Sequence, residues 1–117
     1  MKLAVVGTGF VGVVTAAVFA KFGHTVYGLD IDPAKIESLN KGKVPFFEPG
    51  LEELLLAGLH ANNLHFTTSY QEATADADIS IIAVGTPSSP EGKADTSYVF
   101  SAIDALAPFL HDGSIVV

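Results

Sequence analysis

The stretch VVGTGFVG, residues 5–12, sets Gly7, Gly9 and Gly12 in a G-x-G-x-x-G pattern. Its flanks make the pattern a strong constraint on folding. KLAVV, residues 2–6, is a short apolar run of strand type. Residues 10–22 carry Val11, Val13, Val14, Ala17, Val18 and Phe22, with no proline and no glycine beyond Gly12. A strand that turns through glycines directly into a helix has few architectures open to it. Each glycine has a separate task there: Gly7 permits the tight turn, Gly9 has no side chain to obstruct a phosphate, and Gly12 lets helix and strand pack closely. The first N–H groups of the helix and the positive end of its dipole then form an anion site with Phe10 and Val11. On the motif alone, a corner shaped by glycine for packing only stays open.

The rest of the chain continues the alternation. Gly23 sits where a helix C′ residue belongs, and HTVYGLD, residues 24–30, reads as a second strand. Asp32-Pro33 supplies an N-cap and a first-turn proline for a helix to about Asn40. EPGLEELLLAGL opens another helix near Pro49, which Asn62-Asn63 closes, and LHFT, residues 64–67, is a third strand. Ser69 with Glu72 forms a capping box for a short helix. ISIIAV, residues 79–84, is the most apolar strand, and residues 85–95 form a polar loop with two prolines. Asp95 or Thr96 caps a helix to about Leu110, and GSIVV, residues 113–117, is a fifth strand.

Residues 3–6 and 79–84 are continuously apolar apart from Ser80, as strands covered on both faces are. The expected class is therefore α/β, a doubly wound parallel sheet of Rossmann type in the order 3-2-1-4-5. In such a sheet ligands sit at the carboxyl ends of the strands where the order reverses, and three features fall on that edge. The glycine turn is one. Asp30, ending the second strand eighteen residues beyond Gly12, is the second. It fits the acid that accepts bonds from a ribose diol about 20 residues on. A carboxylate there repels a 2′-phosphate, and no arginine lies nearby to offset it, so NAD is favoured over NADP, with FAD still open. The third is Gly85-Thr86-Pro87, where Thr86 can offer its hydroxyl or N–H to a cofactor. Lys35, in the first turn of its helix against the dipole, is placed to reach over the ribose beside Asp30.

Composition narrows the partners. Thirteen acids against six bases give a net charge of −7, which disfavours nucleic acid and anionic membrane surfaces. There is no cysteine, so disulfides, thiolate metal sites and a cysteine nucleophile are excluded from these residues. The four histidines lack metal-ligand spacing, and neither a metal site nor a catalytic residue is assigned. Residues 3–20 are uncharged and superficially resemble a leader or a short spanning helix. The three glycines within them argue instead for a cytoplasmic domain. The chain stops on the apolar Val116-Val117, as the front part of something longer would.

Four local strings together resemble one family: GTGFVG at 7–12, LDIDPAKIESLNKG at 29–42, PFFEPGLEELL at 45–55 and VGTPSSPEGKADTSYV at 84–99. They are similar to the N-terminal NAD-binding domain of the UDP-glucose/GDP-mannose 6-dehydrogenases, over the whole chain, 1–117. The resemblance implies that Val11, Asp30, Lys35 and Thr86 contact NAD. It also implies that the complete enzyme oxidises the C6 alcohol of a nucleotide sugar to a carboxylate in two NAD-dependent steps, through a cysteine nucleophile. That cysteine, the nucleotide-sugar pocket and the pairing segments of a homo-oligomer would lie in later segments, leaving residues 1–117 inactive alone. Two rivals stay open: an NAD enzyme of hydroxyacyl or 6-phosphogluconate dehydrogenase type, and a non-catalytic NAD-sensing module. Neither calls for the PFFEPGL connection.

Overall fold

The computed structural model describes residues 1–117. Five strands, β1 (Lys2–Val6), β2 (Thr25–Leu29), β3 (Leu64–Thr67), β4 (Ile79–Ile82) and β5 (Ile115–Val116), form one sheet in the order β3-β2-β1-β4-β5. Every pairing is parallel. This is the expected α/β, doubly wound arrangement, with the reversal between β1 and β4. Five helices lie on its faces: α1 (Phe10–Lys21), α2 (Pro33–Asn40), α3 (Leu51–His60), α4 (Tyr70–Thr74) and α5 (Ser97–Leu106).

The period-two alternation of β1 divides the core. Leu3 and Val5 join a cluster with Val13 and Ala17 of α1, Leu39 of α2 and Leu55 of α3. Ala4 and Val6 face the other way, onto Ala73, Ala102 and Leu106 from the α4 and α5 side. All four β1 residues are at most 2% exposed, which is why the strand reads as unbroken apolar sequence.

Local signals place most helix ends. After α1 the chain closes in a Schellman motif: Gly23 N–H donates to Ala20 O at 3.0 Å and His24 N–H to Phe19 O at 3.3 Å, with Gly23 at φ +94°. The Asp32 carboxylate caps α2 by accepting from Ala34 N–H at 2.9 Å. The α4 box is only half made. Ser69 Oγ accepts from Glu72 N–H, but the Glu72 carboxylate takes the Thr67 hydroxyl at 3.0 Å, and Thr67 Oγ1 in turn accepts from Ser69 N–H. At α5 the N-cap position is Thr96, yet the Asp95 carboxylate receives the Ser97 N–H, at 2.9 Å.

Several expected boundaries shift, some for a local reason and some through a distant partner. β4 ends at Ile82 rather than residue 84, because β1 turns away at Gly7 and Ala83 N–H makes the last bond, to Val6 O at 2.7 Å. α5 ends at Leu106 rather than near Leu110, since Pro108 cannot continue it, and a 3₁₀ turn spans Ala107–Phe109. β5 is the pair Ile115–Val116, residues 113 and 114 being used in the turn before it. α3 begins at Leu51, after Gly50 at φ +82°. The polar loop at 85–95 also holds a small hairpin, closed by a Ser88–Ala94 bridge and a Ser89 N–H to Lys93 O bond of 2.6 Å.

Two glycines of the first turn are required by contact. Gly7 sits at φ +109°, and a Cβ on it would lie 2.5 Å from Ala83 O. A Cβ on Gly12 would collide with the Gly7 carbonyl oxygen, a backbone atom that cannot rotate away. A Cβ on Gly9 would meet nothing within 4 Å. Gly12→Ala should therefore lower stability by about 1–3 kcal/mol or more, while Gly9→Ala should cost less than about 1 kcal/mol. Urea unfolding of the two variants measures the contrast; equal losses would show that the turn relaxes freely.

Candidate functional site

A cleft of about 790 Å³ opens at the carboxyl ends of β1, β2 and β4, at the point where strand order reverses. Its floor is the glycine turn. Gly7, Gly9, Phe10, Val11, Asp30 and Lys35 all line it, joined by Gly85 from the segment after β4. Gly12 is buried beneath the floor and acts through packing against Gly7. Thr86 is exposed and lies one residue beyond the lining, which takes Ala83, Val84 and Gly85 from this segment.

The α1 N-terminus is electrostatically bare. Gly9 is its N-cap, no side chain caps it, and no acid occupies its first turn. The N–H groups of Phe10 and Val11, both in the cleft lining, have no intrahelical acceptor in an α-helix, so they and the positive dipole end are left unneutralised there. Phe10 is held at the rim by Phe46 from the connection between α2 and α3, with ring centroids 5.2 Å apart in an edge-to-face contact. That contact gives the PFFEPG connection one function the pattern did not reveal: it braces the residue that opens α1.

On the opposite side stands Asp30, held by three hydrogen bonds. Its Oδ2 accepts from the Thr8 hydroxyl at 2.6 Å and from Thr8 N–H at 3.1 Å, and its Oδ1 accepts from Asp32 N–H at 3.1 Å. Burial pushes its pKa up, but the Thr8 hydroxyl, the two N–H groups and the Lys35 charge outweigh burial and set it below the ordinary value of 3.8. The group is a carboxylate at neutral pH. Lys35 is the one cation among the lining residues. Tyr70, at the start of α4, also lines the cleft, and burial followed by the Asp30 charge raises its phenol pKa.

Thr8, Tyr70, Tyr98 and Ser101 are cleft residues that the motif did not single out. For Thr8 the only signal is its place between two glycines. Tyr70 opens α4 beyond the carboxyl end of β3, on the same edge of the sheet but two strands from the reversal, so the switch-point rule does not single it out. No three His, Cys, Asp or Glu side chains gather in a way that would hold a metal ion, and no helix is long and apolar enough to cross a membrane.

The sign of the Asp30 shift has a consequence for stability. A carboxylate more acidic in the folded than in the unfolded chain stabilises the fold above its unfolded pKa, and loses that contribution as pH falls through the folded value. The stability gap between the wild type and Asp30→Asn should be constant above about pH 5 and shrink below it. Urea unfolding across that range measures the gap, and a gap that is flat into acid would contradict the assigned hydrogen bonds.

The fold and the sequence are shared with known proteins. The family model described as "UDP-glucose/GDP-mannose dehydrogenase family, NAD binding domain" matches residues 1–117. The UDP-glucose 6-dehydrogenases of Rhizobium meliloti and Pseudomonas aeruginosa are 43% and 44% identical to the chain over its whole length. The chain spans only 27% and 26% of those two relatives. Among solved structures, a ternary complex of GDP-mannose dehydrogenase from Pseudomonas aeruginosa superposes with a TM-score of 0.92 at 36% identity, over 99% of this chain and 28% of that one. A UDP-glucose dehydrogenase from Pyrobaculum islandicum gives 0.85 at 47% identity, over 90% of this chain and 24% of that one. With its parallel sheet, glycine floor and ionised Asp30, the chain belongs to the UDP-glucose/GDP-mannose dehydrogenase family and corresponds to that family's NAD-binding domain.

Proposed function

We propose that residues 1–117 are the cofactor-binding part of a cytoplasmic, homo-oligomeric nucleotide-sugar 6-dehydrogenase of the UDP-glucose to UDP-glucuronate type. The observation that carries this reading is that a bare helix N-terminus and an ionised carboxylate share one cleft. The two ends of a dinucleotide's adenosine diphosphate half need those two opposite partners: donors for the pyrophosphate, an acceptor for the ribose. The fit is supported by Gly9, around which a Cβ would meet nothing within 4 Å, so the backbone can be approached closely.

In this reading the N–H groups of Phe10 and Val11 hold the pyrophosphate, with Gly7 and Gly9 keeping the floor free of side chains and Gly12 packed beneath it. Asp30 accepts a ribose hydroxyl, Lys35 reaches over the same ribose, and Thr86 offers its hydroxyl or N–H from the rim. The Asp30 charge repels a 2′-phosphate, and Lys35 alone does not offset it. NAD, when bound, supplies the hydride acceptor. The chain's own residues orient it and screen its charge. The relatives named as UDP-glucose 6-dehydrogenases support UDP-glucose as substrate. In this reading the cysteine nucleophile lies in segments outside these residues, which contain no cysteine, and the sugar pocket lies with it. Residues 1–117 should bind NAD and show no dehydrogenase activity alone.

Calorimetric titration with NAD⁺, NADH and NADP⁺ tests the reading. NAD⁺ and NADH should bind and NADP⁺ should bind more weakly. Asp30→Ala should lose about 1–3 kcal/mol of NADH affinity. Gly9→Ala should also weaken binding while its unfolding midpoint stays near the wild type. A folded chain that binds none of the three, or NADP⁺ as well as NADH, would overturn it.

A further inference from the structure

Thr8 is a buried polar side chain, 3% exposed, in a position that the glycine pattern leaves free. Its hydroxyl needs a partner, and both its hydroxyl and its N–H go to one atom, Asp30 Oδ2, at 2.6 and 3.1 Å. A carboxylate oxygen has two acceptor directions, so Oδ2 is fully used from the protein side. Oδ1 accepts only Asp32 N–H, at 3.1 Å on the exposed side, and keeps one direction open. The carboxylate is thus anchored through its inner oxygen and presents its outer one.

We infer that Thr8 is the positioning residue for Asp30: it holds Oδ2 from beneath so that Oδ1 is the oxygen offered to a ribose hydroxyl of the bound dinucleotide. The inference rests on the proposed NAD role of the cleft. It also gives that role a residue that neither the motif nor the resemblance assigns. A threonine suits the task because its β-branch restricts χ1 and its hydroxyl is short, so the bond to Oδ2 costs little side-chain entropy. The other charged or titratable groups facing Asp30 are Asp32 in its own turn, Lys35 from α2 and Tyr70 from α4. Of these, Lys35 acts through charge at a distance and cannot fix which oxygen points outward.

The test compares Thr8→Val, which keeps the shape and the N–H but removes the hydroxyl, with Thr8→Ser, which restores it. Two readouts are needed: NADH affinity by calorimetry, and the carbon-13 titration of the Asp30 carboxyl by NMR, which requires no ligand. Thr8→Val should weaken NADH about fivefold to tenfold and move the Asp30 titration to higher pH, because burial stays while its strongest counterweight is gone. Thr8→Ser should recover both. Wild-type affinity together with a wild-type Asp30 titration in Thr8→Val overturns the inference. So does an affinity loss with an unmoved titration, which marks Thr8 as packing only. If the wild-type chain binds no NADH, the cofactor reading fails. The titration alone then decides whether Thr8 holds Asp30, an unmoved value overturning that claim too. Should Thr8→Val not fold, Thr8→Ala serves for both readouts.

Discussion

The contact between the Gly7 carbonyl and the bare Cα of Gly12 is the constraint on which the site depends. It sets the start of α1 directly against the end of β1, closer than any side chain would permit. The other features of the cleft follow from that approach. β1 has to leave the sheet at Gly7, which ends β4 at Ile82 and sends residues 83–85 along the cleft wall. The α1 N-terminus is left at the sheet edge with no cap and no acid in its first turn. β2, paired with β1 in register from Lys2–Thr25 to Val6–Leu29, delivers Asp30 one residue past the last pair.

Local and global charge act in opposite directions here. The chain as a whole carries −7, which would repel a dinucleotide at long range. Within the cleft, the helix end and Lys35 supply the only positive character, and they act over a few ångströms, where screening is weak. Selectivity then rests on placement more than on net charge. In the proposed site, donors stand where a pyrophosphate would lie, and an ionised acceptor stands where a free ribose hydroxyl would be welcome and a phosphate would not. Asp30 keeps its charge despite partial burial because its hydrogen bonds outweigh desolvation.

Much of this was legible in the residues. Unbroken apolar strands announce a sheet covered on both faces, and the alternation with helices then leaves one main topology. Gly23 and Asp32-Pro33 fix helix ends because their effects are local. Part of what the sequence left open depended on partners elsewhere in the chain. Where β4 stops is set by β1, not by the apolarity of Ala83 and Val84. Glu72 gives its carboxylate to Thr67 instead of closing its own box, and Thr67 Oγ1 takes the Ser69 N–H that the box would have used. Thr8 was invisible as a site residue, since its partner lies 22 residues away and no periodicity relates them. The bracing of Phe10 by Phe46 needed the path of the α2–α3 connection.

NAD is proposed to sit in one cleft, floored by the glycine turn and walled by Asp30. Amide chemical-shift mapping with NAD⁺ on the nitrogen-15-labelled chain tests it most directly. The largest shifts should fall on the amides of residues 9–12, on 30–32 and on 84–86, with β3 and the far ends of the helices unmoved. Saturable shifts centred elsewhere, or none at all in a folded chain, would contradict it.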